Sequence, residues 1–183
     1  MYITVENIVG EKTINLSYSI QNLDGSKEIA LIEMFGDNVT YEITAPLKLT
    51  LSSGDGASAA KHIPSRKYTS RELNAFLAGN ATLTPLGKDP RVIKSNKLAN
   101  ITKLNFQLNE LDNTNNLLDG RLCNNLMIYH VEGYDDVTRV EPKHPRYKKL
   151  KSGVFQSLTM RITNQNGDMI TDSLGTSVVL HIR

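Results

Sequence analysis

Tryptophan is absent from the 183 residues, and cysteine occurs once, at Cys123. A single cysteine excludes an intrachain disulfide, so the fold must rest on its apolar core and hydrogen bonds; this favours a reducing compartment or indifference to redox. With no tryptophan and 6% aromatics, the chain has little of the flat apolar surface that sugar-binding sites need. It also lacks any apolar run near the roughly 18–20 residues of a membrane span, so no membrane-crossing helix is expected. Met1-Tyr2-Ile3-Thr4-Val5-Glu6 has neither the basic stretch nor the apolar run of a signal peptide, and none is expected. An excess of one charge sign is missing too: 21 Lys and Arg against 19 Asp and Glu leave +2, too little for a global attraction to nucleic acid. What remains is an ordinary globular composition at a length that suits one domain able to bury its own core.

The motifs of catalysis are missing as well. His62, His130, His144 and His181 have no second His, Cys or acidic residue at a metal-ligand spacing. Cys123 stands beside Asn124-Asn125 without a nucleophile signature and reads as a structural thiol. No Gly-x-Ser-x-Gly, phosphate-binding glycine loop or dinucleotide fingerprint occurs. Asp135 and Asp136 are adjacent, which on a strand points them to opposite sides; they read as turn residues, with a weak calcium site as the alternative. The sequons at Asn15, Asn38, Asn80 and Asn100 are what an Asn-rich chain yields by chance. No catalytic residue, metal or cofactor is expected, and the chain is not read as an enzyme.

Period-2 patterns dominate what is present. Leu158, Met160 and Ile162 alternate with Thr159, Arg161 and Thr163, and Val178, Leu180 and Ile182 repeat the phase after a polar turn at Asn164–Asp168. Strands are also expected over Tyr2–Ile8, Thr13–Ile20 (Ile14, Leu16, Tyr18 and Ile20 in phase), Glu28–Phe35, Val39–Thr44 with Leu47, Leu49 and Leu51, Ala81–Thr84, Arg91–Lys94, Leu98–Leu108 and Leu122–Val131. Asn22-Leu23-Asp24-Gly25 is a turn, because Asp-Gly supplies a residue tolerant of positive φ. One helix is expected: Thr69-Ser70-Arg71-Glu72 is a capping box, followed by Leu73, Phe76 and Leu77 at helical spacing, with Gly79 placed to close it. Ser52–Ala60, rich in Gly, Ser and Ala, reads as an exposed mobile loop within one continuous domain over residues 1–183. About ten strands and one short helix are the profile of an antiparallel sandwich or barrel.

Charge is concentrated in one place. Lys143-His144-Pro145-Arg146-Tyr147-Lys148-Lys149-Leu150-Lys151 holds five formal positive charges in nine residues, with a tyrosine among them. The segment reads either as a solvated, proline-stiffened loop or as a contact for an anionic partner, nucleic acid or an acidic protein surface. In the second reading the contacts are Lys143, Arg146, Tyr147, Lys148, Lys149 and Lys151, with Tyr147 available for stacking.

The two terminal strand patterns are specific enough to compare. Leu158-Thr159-Met160-Arg161-Ile162-Thr163, the turn Asn164-Gln165-Asn166-Gly167-Asp168, and the closing Val178-Val179-Leu180-His181-Ile182-Arg183 resemble the C-terminal jelly-roll signature of capsid proteins of the Polinton/Maverick–adintovirus lineage, related to adenoviruses and virophages. The Lys143–Tyr147 stretch resembles the approach to that signature, and Tyr68-Thr69-Ser70-Arg71-Glu72-Leu73-Asn74 resembles a helix of the same proteins. Between the last two strands Thr171-Asp172-Ser173-Leu174-Gly175 departs from the family's usual stretch. The close match covers about a sixth of the chain. The resemblance implies an all-β fold, a single jelly-roll β-sandwich. Major capsid proteins of that lineage carry two fused rolls, so one roll implies a penton-type minor capsid protein. Such a protein would be a pentamer at icosahedral vertices, with itself and a neighbouring major capsid protein as partners, located in the virion and assembled inside the host cell. The alternatives are a spike or cement component of the same fold, or a sandwich that binds carbohydrate or a host surface through loop tyrosines such as Tyr68, Tyr134 and Tyr147.

Overall fold

A computed structural model describes residues 1–52, 58–77, 88–112, 117–118, 121–122, 124–131, 137–171 and 176–183. The strands are β1 (Tyr2–Val5), β2 (Glu11–Asn22), β3 (Glu28–Asp37), β4 (Val39–Ile43), β5 (Leu47–Ser52), β6 (Ser58–Ile63), β7 (Lys67–Thr69), β8 (Val92–Asn96), β9 (Lys103–Leu108), β10 (Leu117–Leu118), β11 (Arg121–Leu122), β12 (Asn125–His130), β13 (Val137–Val140), β14 (Lys148–Lys149), β15 (Gly153–Thr163) and β16 (Ser177–Ile182), with one helix, α1 (Ser70–Phe76). They form two compact units. One comprises Met1–Gly36, Leu98–Tyr134 and Thr138–Arg183; the other comprises Asp37–Lys97 and Asp135–Val137.

In the first unit, one sheet has the order β1-β16-β3-β13, with β14 also on β3, and the other has the order β12-β9-β15-β2. The eight path strands pair first with last, second with seventh, third with sixth and fourth with fifth: β1 with β16, β2 with β15, β3 with β13, β9 with β12. These eight strands thus make one long four-rung hairpin. Winding it up adds the contacts β16 with β3 and β15 with β9, and that wound hairpin is a jelly roll. The inward residues of both sheets share one core. Leu31, Met34, Val178, Leu180 and Ile182 come from the first sheet, and Leu104, Phe106, Leu108, Leu158, Met160 and Ile162 from the second. The period-2 pattern of the last two strands therefore has its expected cause: both lie inside their sheets, and their apolar residues face the core.

Two turns bear out local chemistry. Gly25 sits at φ +67° in the Asp24-Gly25 turn, where a Cβ would lie 2.9 Å from Ser152 Oγ, and Gly167 sits at φ +88° in the Asn164–Asp168 turn. One alternation is interrupted. Phe155 faces Ile20 and Ser157 faces Asn15, so β2 advances five residues while β15 advances two. The three extra residues form a bulge, which turns Tyr18 out to 82% exposure although it shares the phase of buried Ile20. The expected strand Leu98–Leu108 begins only at Lys103, because Asn100 takes a left-handed turn at φ +69°.

The second unit has a core of its own, built from Val39, Tyr41, Ile43, Leu47, Ile63, Tyr68, Leu73, Leu77 and Val92. Its sheets are β7-β4-β8 and the hairpin β5-β6. The capping box forms as read: Thr69 Oγ1 accepts from Glu72 N at 3.1 Å, and Thr69 N donates to Glu72 Oε2 at 2.9 Å. Ser58–Ala60, placed by the sequence pattern in a mobile loop, belong to β6 opposite Ser52, Leu51 and Thr50. The rest of that loop, 53–57, lies outside the described residues, as do the expected strand Ala81–Thr84 and the closing Gly79.

Candidate functional site

The C-terminal part of the basic segment, Lys148–Lys151, is built into the roll as a fixed ledge. Lys148 and Lys149 form β14 opposite Ile29 and Glu28 of β3. Leu150 is buried at 1% exposure, and its amide donates to Lys27 O at 3.0 Å. On the other side, Asp112 N donates to Lys149 O and Lys151 N to Glu110 O, each at 2.9 Å. The buried Asn22 ties the corner. Its Nδ2 donates to Leu150 O at 3.0 Å and Lys151 O at 2.9 Å, and its Oδ1 accepts from Lys27 N at 2.9 Å. Lys143, Arg146, Lys149 and Lys151 are exposed, while Tyr147 and Lys148 are half-buried. Lys151 Nζ reaches Asn109 O at 2.6 Å. Beside it Glu110 receives Thr159 N on both carboxylate oxygens, at 3.1 and 3.0 Å, yet burial pushes its carboxyl above the usual glutamate range.

Register brings this ledge against residues from elsewhere in the chain. Tyr2 on β1 faces His181 on β16, and His181 faces Ala30 on β3. The ladder that sets Lys148 opposite Ile29, continued one residue back, brings Tyr147 alongside Ala30, so the four residues form one row across β1, β16, β3 and the residue that leads into β14. At Ala30 the row offers only a methyl group. Tyr147 extends to His181, its hydroxyl 2.7 Å from Nδ1 and the ring centroids 5.8 Å apart at 79°. On the far side of His181 the ring of Tyr2 lies at 4.5 Å and 30°. The Arg183 guanidinium lies 3.8 Å from the Tyr147 ring centre and is held by Glu28 Oε2 at 2.7 Å. The result is a continuous series of ring contacts, Arg183 over Tyr147, Tyr147 edge-on to His181 and His181 tilted against Tyr2, ending in a tyrosine that is 70% exposed.

Sequence reasoning located the ledge but not the row. Tyr2, His181 and Arg183 lie far from residues 143–151 in sequence, and only strand pairing unites them. A signal existed: His181 occupies the outward phase of β16, so whatever β3 carries beside it shares its face. Tyr68, named as a loop tyrosine for sugar binding, is a correction. It is 1% exposed in the core of the second unit, its hydroxyl bonded to Pro64 O at 3.0 Å, so it can form no surface platform. Tyr134, Cys123, Asp135 and Asp136 lie outside the described residues. His62, His130 and His144 are exposed and separate. Among the described residues no three His, Cys, Asp or Glu side chains come together as a metal-holding group, and no helix is long and apolar enough to cross a membrane.

Strand order and core define the class: an all-β jelly-roll sandwich, with a second compact unit between β3 and β9 in the sequence. Among solved structures the chain is similar to a mavirus penton protein, at 9% identity and a TM-score of 0.48, covering 100% of this chain and 98% of that one. No family model matches the chain, and no curated protein does.

Proposed function

We propose that this chain is a structural virion protein, a single jelly-roll, penton-type minor capsid protein that closes a ring with copies of itself and meets a neighbouring major capsid protein. The observation that carries the reading is where the resemblance falls. The segments similar to the Polinton/Maverick–adintovirus capsid signature are β15 and β16, one in each sheet, and each is paired on both sides. The match thus lies on the strands that hold the roll together and in the order the roll requires. A ring-forming shell protein needs rigid, differing side surfaces that meet head to tail, and a two-sheet roll supplies them without any catalytic group.

The test is the absolute mass of the purified full chain by light scattering, followed by negative-stain imaging of any oligomer. Rings of five support the vertex role. Trimers shift the reading toward a spike or major-capsid-like component of the same fold. A strict monomer at high concentration, at both low and high salt, refutes self-assembly.

A further inference from the structure

We propose that the Tyr2–His181–Tyr147 row, with Lys143, Arg146 and Lys149 beside it, is a docking surface for single-stranded nucleic acid. A single copy of the chain carries this face complete, so the surface does not depend on the vertex role. Three features of the surface lead to it.

The first is local charge on a nearly neutral chain. Five of the 21 Lys and Arg lie within nine residues, and Lys143, Arg146 and Lys149 project into solvent. The acids nearby are engaged: Glu28 with Arg183 at 2.7 Å, Glu33 and Glu141 with Arg139 at 3.0 and 2.7 Å, and Glu110 with the amide of Thr159 at 3.1 and 3.0 Å. The second is order. Asn22, Leu150 and the β14 ladder fix the backbone of Lys148–Lys151 before any partner arrives, so the chain that carries Lys149 loses little further freedom on binding. The third is the series of ring contacts that ends at Tyr2. Crossing three inter-strand gaps, the row is roughly 14 Å long, and its last ring is mostly exposed. A base laid on Tyr2 extends the series Arg183–Tyr147–His181–Tyr2, while its phosphates meet the ledge cations. The bases of a duplex are stacked on one another and cannot do this, so the fit is to unpaired strands. An acidic peptide would draw on the cations and leave the exposed ring without a use.

The experiment is fluorescence anisotropy of a labelled oligothymidylate titrated with the full chain at several salt concentrations. A poly-glutamate peptide of equal charge and a duplex of equal length serve as competitors. Three engaged cations predict a slope of log affinity against log salt of roughly −2, and Arg146→Ala with Lys149→Ala reduces its magnitude by about 1.4. Tyr2→Ala weakens binding about tenfold with the slope unchanged, whereas Tyr2→Phe keeps wild-type affinity. Each variant is checked by far-UV circular dichroism, and only variants with the wild-type spectrum are scored. If Tyr2→Ala binds as wild type, or poly-glutamate displaces the oligonucleotide charge for charge, the surface is a contact for an acidic protein and the assignment fails. It fails equally if the oligonucleotide does not bind at low salt.

Discussion

Asn22 is the residue on which the corner between the two sheets of the roll depends most. It ends β2 and is fully buried at 0% exposure, and it makes three hydrogen bonds: two to the carbonyls of Leu150 and Lys151, which lead into β15, and one from the amide of Lys27, which leads into β3. Asn22→Ala removes all three. Neutral hydrogen bonds contribute about 1 kcal/mol each, and a buried group left without a partner costs roughly 1–3 kcal/mol more, so the loss is about 4–6 kcal/mol. That is a large part of the roughly 5–15 kcal/mol that holds a domain folded. With a urea dependence of about 2 kcal/mol/M, the unfolding midpoint followed by far-UV circular dichroism falls by roughly 2–3 M at unchanged slope. Asn22→Asp sharpens the test. Its carboxylate can still accept from Lys27 N, but its second oxygen faces two carbonyl oxygens at 2.9–3.0 Å where a donor is required. Burial and that repulsion raise the folded-state pKa of the new acid above its unfolded value of about 3.9. Asn22→Asp is therefore less stable than Asn22→Ala at pH 8. Protonation restores a donor, so it is the more stable of the two near the unfolded pKa, and the advantage disappears as pH rises through the folded pKa. A midpoint shift under about 0.5 M for Asn22→Ala, or no crossover between the two variants, would refute this account of the corner.

Two further predictions follow from single residues. Burial raises the pKa of Glu110, so its native-state preference for the proton contributes stability below the unfolded value that is lost as pH rises through the folded one. Glu110→Gln keeps an acceptor for Thr159 N and removes the buried charge, so it raises the melting temperature slightly at pH 8 and has no such advantage near pH 4. A variant that melts lower than wild type at pH 8 would show that the carboxylate's bonds outweigh its desolvation. Thr69→Ala removes the cap of α1 and lowers the stability of the second unit by about 1 kcal/mol, read as faster amide exchange over Ser70–Phe76. The Thr69 N–H holds the Glu72 carboxyl below the usual glutamate range, so that end of the cap strengthens stability at neutral pH and loses its contribution as pH falls through the depressed pKa.

What was legible in the sequence was local or strictly periodic. The capping box needs only residues three apart, and the Asp24-Gly25 turn only two. β15 and β16 announced themselves because each has a strand on both sides and one face on the core, which leaves their inward positions little choice but Leu, Met, Ile and Val. The features that escaped are set by distant partners. Tyr18 shares the phase of Ile20, yet a three-residue bulge against β15 turns it outward, and a bulge is a property of two strands together. Tyr68 follows Pro64 and a polar stretch that read as loop, yet its ring lies among Tyr41, Leu73 and Leu77 in a core that no change of composition announces. β13 and β14 are too short for any period to show.

The same separation governs how the proposals bear on each other. Along β16 the residues Val178, Leu180 and Ile182 point into the core, while Val179 and His181 point away from it. The resemblance to capsid proteins covers both phases, but only the outward one can meet a partner. An inward change such as Leu180→Ala would disturb assembly and nucleic-acid binding together, because it damages the roll that presents every surface. An outward change at Tyr2 acts on one surface and leaves the core intact. Loss of oligonucleotide binding with the oligomer retained would therefore locate nucleic-acid contact on the Tyr2–His181–Tyr147 face and ring closure elsewhere. Joint loss, in a variant whose circular dichroism is unchanged, would mean that copies of the chain use this face on each other, and the nucleic-acid surface would then be open only before assembly.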